Sequence, residues 1–324
     1  FCVTEEYCIM ITKRKEADKF EVLSGIFENK TTGTPITAII RNTNQHSADY
    51  ESLKYVPRPS HADLTGSIRY NGYNDLRGGG HFSGRLTAPI VFAGALSKLA
   101  LKKFNINIIA HILSAGNVSD IPFDSSNITQ ETIEQLSNKE FPVLTTEAQN
   151  KMMTLFQEVR RDMDSVGGII ECAITGLDAG IGSPMFGGVE SRLSSIIFGI
   201  PAVKGIEFGA GFNFAPLRGS EANDEYYIEN GKIKTYTNNN GGILGGITNG
   251  MPILFRVAIK PTPSIGKVQN TVDIKTMKNT KLEIKGRHDP CILPRAVPVV
   301  EAAAAIAILE LLLEQRGYYG FSRY

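Results

Sequence analysis

Residues 58–85 read RPSHADLTGSIRYNGYNDLRGGGHFSGR, and this stretch sets the reading of the whole chain. Arginines stand at 58, 69, 77 and 85, histidines at 61 and 81, and glycines at 66, 72, 78, 79, 80 and 84. No long apolar run interrupts it, so the segment adds little to a core. It suits a loop that brings backbone amides and cationic side chains up to an anion. Glycine admits positive φ and close approach of a ligand, and successive N–H groups then form an anion-binding concavity. Arginine adds a planar, permanently charged fork matched to phosphate or carboxylate.

Composition narrows the class. Basic and acidic residues balance, 34 against 33, which leaves no electrostatic footprint for nucleic acid. Glycine makes up 32 of 324 residues, about 10% against a usual ~7%, favouring tight turns and close backbone–ligand contacts over a helical array. The cysteines, Cys2, Cys8, Cys172 and Cys291, lack metal-ligand spacing, and nothing resembles a signal peptide. The expectation is a reduced, cytoplasmic protein with no metal, in which Cys172 is a small buried apolar residue. The longest apolar run, Ala296–Leu313, is broken by Glu301 and Glu310, starts like a helix and reaches a glycine stop at Gly317. A helix buried in a core or against a partner chain explains it better than a membrane span, and Ala302–Ala305 would allow close packing.

The motifs then carry a resemblance. HAD-x-T (His61–Thr65) followed by RGGG-x-x-S-x-R (Arg77–Arg85) resembles the signature region of the chorismate synthases. Asp164–Phe186, Ile200–Phe212, Leu217–Glu225, Gly241–Lys267 and Gly286–Ala302 resemble the same family in its usual order. The resemblance runs from about Arg14 to Gly317, and the first ten residues stand outside it. It implies an α+β fold in a single large domain, 1–324, a β-α-β sandwich with internal pseudo-twofold symmetry.

The sequence pattern agrees with an α/β or α+β single domain. Glu21–Phe27, Ile36–Arg41, Ile169–Thr175, Ala202–Phe208 and Ile253–Ile259 read as strands. Thr87–Phe104, Glu147–Met163 and Val189–Phe198 read as helices, the second amphipathic through Met152, Leu155, Phe156 and Val159 and capped by Thr145 or Thr146. Arg77 and Arg85 lie eight residues apart, as do Arg287 and Arg295, each pair followed by a proline and an apolar helix. Duplication and chance explain that echo equally well. No G-x-G-x-x-G, Walker-type loop, G-x-S-x-G or H-E-x-x-H is present, so dehydrogenase, P-loop, esterase and zinc-protease readings lose their usual support.

The resemblance implies a 1,4-elimination: 5-enolpyruvylshikimate 3-phosphate loses phosphate and a ring proton to give chorismate. Reduced FMN is required although nothing is oxidised overall. Such a site needs cations for the leaving phosphate and two carboxylates. It also needs an acid, to help the phosphate depart or to hold the reduced flavin in its useful protonation state. A base, acting directly or through flavin N5, must take the ring proton.

His61 is the acid candidate, since histidine titrates near working pH. By residue type alone, a loop histidine satisfying backbone groups is the commoner arrangement. Ser60 stands where the family usually has glycine. Arg58 and Arg85 are the expected substrate-anion ligands, while Arg77 could equally be structural. The resemblance places His81, Phe82 and Ser83 on FMN, although His81 and Phe82 replace a basic and a small hydroxyl residue. It assigns further FMN contacts to Pro201, Ala202, Gly245, Lys260, Pro261, Thr262, Pro263, Ser264 and Arg287. KPTPS (Lys260–Ser264) suits a ribityl phosphate, with Pro263 replacing a common serine. Asp289 is the base-like residue near flavin N5; alone, it reads as an Asx-turn before Pro290. His288 is left as structural.

The family begins with a strand and a G-E-S-H-G loop carrying a second catalytic histidine. Nothing like it stands before Thr12, so a shortened copy of a longer protein is expected. The expected partners are the small-molecule substrate and an external flavin reductase or other reductant, in a homotetramer without nucleic acid or membrane. The runner-up is a catalytically inactive homologue that binds FMN or a phosphometabolite. A bifunctional enzyme reducing FMN with a nicotinamide cofactor such as NADP ranks lower, because no second nucleotide fingerprint is present.

Overall fold

The protein, seen in a computed structural model, is described over residues 19–41, 52–75, 77–284 and 289–321. Four short strands open it: β1 (Phe20–Ser24), β2 (Ile26–Phe27), β3 (Lys30–Thr31) and β4 (Thr37–Ile40). Helices α1 (Asp63–Arg69) and α2 (Thr87–Lys102) lead to β5 (Asn107–Ala115) and β6 (Val118–Ser119). Next come α3 (Gln130–Ser137), α4 (Thr146–Arg161), β7 (Gly168–Thr175), α5 (Val189–Ile197) and β8 (Val203–Phe208). After the single turn α6 (Gly219–Ala222) follow β9 (Tyr226–Glu229), β10 (Lys232–Thr235), β11 (Ile243–Leu244) and β12 (Ile247–Thr248). The chain ends in β13 (Ile253–Ile259), β14 (Gln269–Asp273), β15 (Lys278–Leu282) and α7 (Leu293–Phe321).

These elements divide into two compact units, each drawn from three stretches of chain. The first takes Phe1–Pro89, Gln157–Ser165 and Thr262–Pro290; the second takes Ile90–Phe156, Val166–Pro261 and Cys291–Tyr324.

In the first unit the strands form antiparallel pairs. β1 pairs with β4 from Phe20↔Ile40, and β14 with β15 from Gln269↔Leu282 to Asp273↔Lys278. Gly25 is required where it stands. Its φ is +83°, and a Cβ would lie 2.6 Å from the Pro35 carbonyl oxygen and from the Ile36 Cα. The β14–β15 hairpin anchors the approach to residue 58. Thr271 Oγ1 donates to the Pro57 carbonyl at 2.6 Å, and the Ile274 N–H donates to the Tyr55 carbonyl at 2.9 Å.

The second unit is built on a five-stranded antiparallel sheet in the order β6-β5-β7-β13-β8. Its middle strands are near-continuous apolar runs, and Ile170, Cys172, Ala173, Ile174, Ile253, Phe255 and Val257 are fully buried. Each such side chain of Val, Leu or Ile size contributes about 1.5–3 kcal/mol by leaving water. Cys172 is free, as its setting in the apolar run suggested, and burial raises its thiol well above the ordinary value. Thr145 is the N-cap of α4, its Oγ1 accepting the Ala148 N–H at 3.2 Å.

Helix α7 packs against β5 and α5. Among the described residues, two stretches, Gly84–Lys102 and Leu293–Gly317, are long and apolar enough to cross a bilayer, but 67% of an 18-residue apolar window in the second is buried inside the protein. Ala302–Ala305 are buried, and Gly94 of α2 meets Ala302 so closely that a Cβ would overlap the Ala302 backbone. Glu301, an interruption in the apolar run, has a clear job. Its Oε1 accepts the Ala110 N–H of β5 at 2.8 Å, and its Oε2 takes Lys98 Nζ at 2.7 Å. The carboxylate thus satisfies a strand amide that no neighbouring strand reaches.

Gly317 does not stop α7, which continues to Phe321. Gly317 is absent from the glycines with positive φ, so the left-handed turn that ends many helices never forms there. Arg287 lies outside the described residues, and with it the arginine echo suggested by the sequence.

Candidate active site

Residues 58–85 are less loop-like than their composition suggests. After Ser60, whose φ is +59°, the chain makes the two turns of α1. A non-glycine residue in that conformation costs about 1–2 kcal/mol, which is the expense of Ser60 at a position the family usually gives to glycine. Asp63 opens α1, where an acidic residue complements the helix dipole.

Asp63 is the hub of a polar cluster in the first unit. Arg58 Nε donates to its Oδ2 at 2.7 Å and Nη2 to its Oδ1 at 2.8 Å, a two-pronged pairing. The Arg58 backbone N–H adds a third bond to Oδ2 at 3.0 Å. His61 Nδ1 lies 2.7 Å from Oδ1. The three side chains are only 11%, 18% and 5% exposed for Arg58, His61 and Asp63. Burial alone would raise the Asp63 pKa. Hydrogen bonds from Arg58 and His61, with the charges behind them, outweigh it and hold the carboxyl well below its usual range.

Arg58 Nη2 also sits 3.0 Å from Nδ1 and 3.2 Å from Nε2 of His61. An atom that close to both ring nitrogens lies over the ring face, because in the ring plane it would collide with Cε1. Nη1 donates to Ser264 Oγ at 3.0 Å. The expected anion ligand Arg58 is therefore already engaged by a carboxylate. The sequence reading quoted Asp63 within HAD but gave it no role. The available signal was a carboxylate two residues after a histidine and five after an arginine in a segment without a core.

The glycine-rich turn that follows is held by its own backbone. Residues Arg77–Phe82 and Gly84–Leu86 form 3-10 turns, and Ser83 Oγ accepts the Arg85 N–H at 3.3 Å. Gly80 has φ +57°, and a Cβ there would overlap the Asp75 carbonyl oxygen. Phe82 packs on α1: a Cβ at Gly66 would lie 2.5 Å from Phe82 Cε2. His81 is exposed, while Phe82, Ser83 and Arg85 are half-buried.

Residues 262–264 join this cluster within the first unit. Ser264 holds Arg58, Thr262 Oγ1 donates to the Asp289 carbonyl at 3.2 Å, and Ser165 Oγ donates to the Thr262 carbonyl at 2.7 Å. Five of the sequence-derived candidates, Arg58, His61, Thr262, Ser264 and Asp289, thus lie along one connected run. Arg287 and His288 lie outside the described residues.

In the second unit the Lys260 N–H donates to the Ala202 carbonyl at 2.9 Å, which joins Pro201–Ala202 to the end of β13. Ala202 has φ +74°, a strained value for a residue with a Cβ. Burial and then the charge of Lys204 push the Lys260 ammonium below its ordinary pKa. Lys204, one strand away, was not among the sequence candidates. Gly245 and Gly246 make the two-residue turn between β11 and β12, with φ +60° and +82°. A Cβ at Gly245 would meet open space, so that backbone presents a bare edge.

A second buried cluster escaped the sequence reading because its members are dispersed. His111 on β5 is fully buried, its Nε2 3.1 Å from Glu171 Oε2 on β7 and its Nδ1 3.5 Å from Asp120 Oδ2. The second contact is too long for a good hydrogen bond, so the charge of Asp120 is what acts there. Burial lowers the His111 pKa, but the two carboxylates overcome it and raise the value. Among the described residues, no group of three or more His, Cys, Asp and Glu side chains could hold a metal ion.

Comparison with known proteins adds independent information. The profile of a family described as Chorismate synthase matches residues 4–313, beginning ahead of the first block legible in the motifs. "Chorismate synthase" of Thermococcus gammatolerans is 44% identical over 312 residues, covering 96% of this chain and 86% of that protein. "Chorismate synthase" of Pyrococcus abyssi is 48% identical over 306 residues, covering 94% and 84%. A solved structure titled "Crystal Structure of Chorismate Synthase" superposes with a TM-score of 0.71 at 30% identity, over 91% of this chain and 78% of that one.

Proposed function

The chain belongs to the chorismate synthase family of carbon–oxygen lyases, with the α+β fold of that family, and we propose that it converts 5-enolpyruvylshikimate 3-phosphate to chorismate. In this trans-1,4-elimination the carbon–oxygen bond to phosphate breaks and a ring proton leaves, with no net oxidation. The reading places the chain in the shikimate pathway, which feeds aromatic amino acid biosynthesis.

The observation that carries this reading is the Arg58–His61–Asp63 cluster. It sets a cation beside a proton-handling ring among largely buried polar groups, as departure of a phosphate requires. His61 is the acid. Arg58, held by Asp63 and Ser264, and Arg85 are the anion ligands. Asp289, whose carbonyl is tied to Thr262, is the base-like residue.

The donor set fits FMN. Lys260 and Lys204 are two cations close enough to disfavour one another, and a phosphate would relieve both. Gly245 offers bare backbone, and Pro201, Ala202, Pro261, Thr262, Pro263 and Ser264 flank Lys260 in space or sequence. Of the glycine-rich turn, the half-buried Phe82 and Ser83 and the exposed His81 are further FMN contacts in this reading, as is Arg287. When bound, reduced FMN supplies electron density that assists carbon–oxygen cleavage. An external flavin reductase or another reductant keeps it reduced.

We read the chain as one α+β domain, supported by its five passages between the two units. Assembly as a cytoplasmic homotetramer completes the reading. It is supported by exposed apolar residues such as Ile228 and Ile233, which face one another across the β9–β10 pair.

Genetic complementation tests the function. A bacterium lacking its own chorismate-forming enzyme should grow without aromatic amino acids when it expresses the full-length protein. Failure to grow despite folded, flavin-binding protein in the cell would overturn the assignment.

A further inference from the structure

We propose that Asp63 is a positioning residue that fixes His61 in its Nδ1–H tautomer, so that Nε2 is the atom that gives and takes the proton. This deepens the functional reading above and rests on it for the role of His61.

The geometry gives Asp63 two tasks at once. Its Oδ1 is 2.7 Å from His61 Nδ1, within reach of an Nδ1–H donor while the carboxyl stays ionised. The two bonds from Arg58 Nε and Nη2, with the backbone N–H of residue 58, keep it ionised and prevent it from turning. With Asp63 as the acceptor, neutral His61 carries its hydrogen on Nδ1 and leaves a lone pair on Nε2. Among the described residues, the charged groups facing His61 are Asp63 from α1 and Arg58 from the preceding loop; Ser264, from the segment after β13, fixes the other end of Arg58.

A carboxamide would disturb this arrangement while preserving shape. In Asp63→Asn, the remaining oxygen is claimed by Arg58, whose Nε–H and backbone N–H would otherwise face an NH₂. The NH₂ then turns to His61 Nδ1, which must become an acceptor, and the hydrogen moves to Nε2. The corresponding exchange in the serine protease triad costs about 10⁴ in kcat through the wrong tautomer.

The test uses the full chain with ¹⁵N-labelled histidine, with His61 assigned by the resonance lost in His61→Gln. When its ring is neutral, wild-type His61 should give the Nδ1–H pattern, and Asp63→Asn should give the Nε2–H pattern. Chorismate formation by Asp63→Asn should show kcat lowered by roughly 10²–10⁴ with KM within about threefold, and Asp63→Glu should recover part of kcat. If Asp63→Asn does not fold, the wild-type spectrum still decides. A neutral His61 with its hydrogen on Nε2, or an Asp63→Asn enzyme within threefold of wild-type kcat, overturns the proposal. The spectrum needs no turnover, so a chain that forms no chorismate would defeat the functional reading and leave the tautomer result to stand by itself.

Discussion

Arg58 and Ser264, 206 residues apart in sequence, are joined by a hydrogen bond of 3.0 Å between Nη1 and Oγ. The bond brings the segment after β13 to the loop that carries His61, and it orients the guanidinium that Asp63 holds from the other side. A charged donor makes such a bond worth about 1.5–3 kcal/mol, and leaving it unmade costs more than losing contact area. Ser264→Ala should therefore lower the urea midpoint by an amount equivalent to about 1–3 kcal/mol. An unchanged midpoint would show that solvent replaces the hydroxyl without loss.

His61→Ala should lower kcat for chorismate formation by roughly 10²–10⁴, the range for a lost general acid–base, while FMN affinity changes far less. Steady-state kinetics beside a flavin titration measures both. A variant within about threefold of wild type would make His61 a loop residue.

At Gly94 two effects oppose one another. Alanine is better than glycine in a helix interior by about 1 kcal/mol, but its Cβ would overlap the Ala302 backbone of α7. Overpacking against backbone costs about 1–3 kcal/mol or more, so Gly94→Ala should be destabilised on balance, and Gly94→Leu more so. Thermal denaturation of both variants checks the order; a more stable Gly94→Ala would mean the helices separate freely.

The buried His111 cluster gives a pH dependence with a defined sign. His111 has a folded-state pKa raised above 6.5 by Glu171 and Asp120 against the effect of burial. Its contribution to stability is fully present below about pH 6.5 and is lost as pH rises through the raised value. For Asp120, burial is outweighed by the neighbouring His111 and by hydrogen bonds from Thr145 and the backbone, which bring it from 3.8 down to about 2. That contribution is present above pH 3.8 and is lost as pH falls toward 2. Urea midpoints measured from pH 3 to pH 9 on wild type and His111→Gln should diverge below pH 6.5 and converge toward the alkaline end. Parallel profiles would show that His111 is neutral throughout.

What the sequence disclosed follows from how local each signal is. Helices α2, α4 and α5 and strands β7, β8 and β13 were legible because their apolar period or run lies within one short segment. β5 was not read, although NIIAHILSA is the strand that pairs with β7, because a short apolar run suits a buried helix or a buried strand equally. Glu301 looked like an interruption and is the partner of an edge amide, which only the folded chain reveals. Of the candidate site, Arg58, His61, Thr262, Ser264 and Asp289 were named from motifs and are connected in the first unit. Asp63 and Lys204 were missed, since one acts through its neighbours and the other is brought to Lys260 by strand pairing.

The most direct test of the central claim is anaerobic assay of phosphate release from 5-enolpyruvylshikimate 3-phosphate by the purified full-length protein. Phosphate and chorismate should appear in equal amounts when reduced FMN is present, and neither should form with oxidised FMN or without flavin. Equal phosphate release in flavin-free buffer, or phosphate without chorismate, would contradict the assignment of this chain as a lyase dependent on reduced FMN.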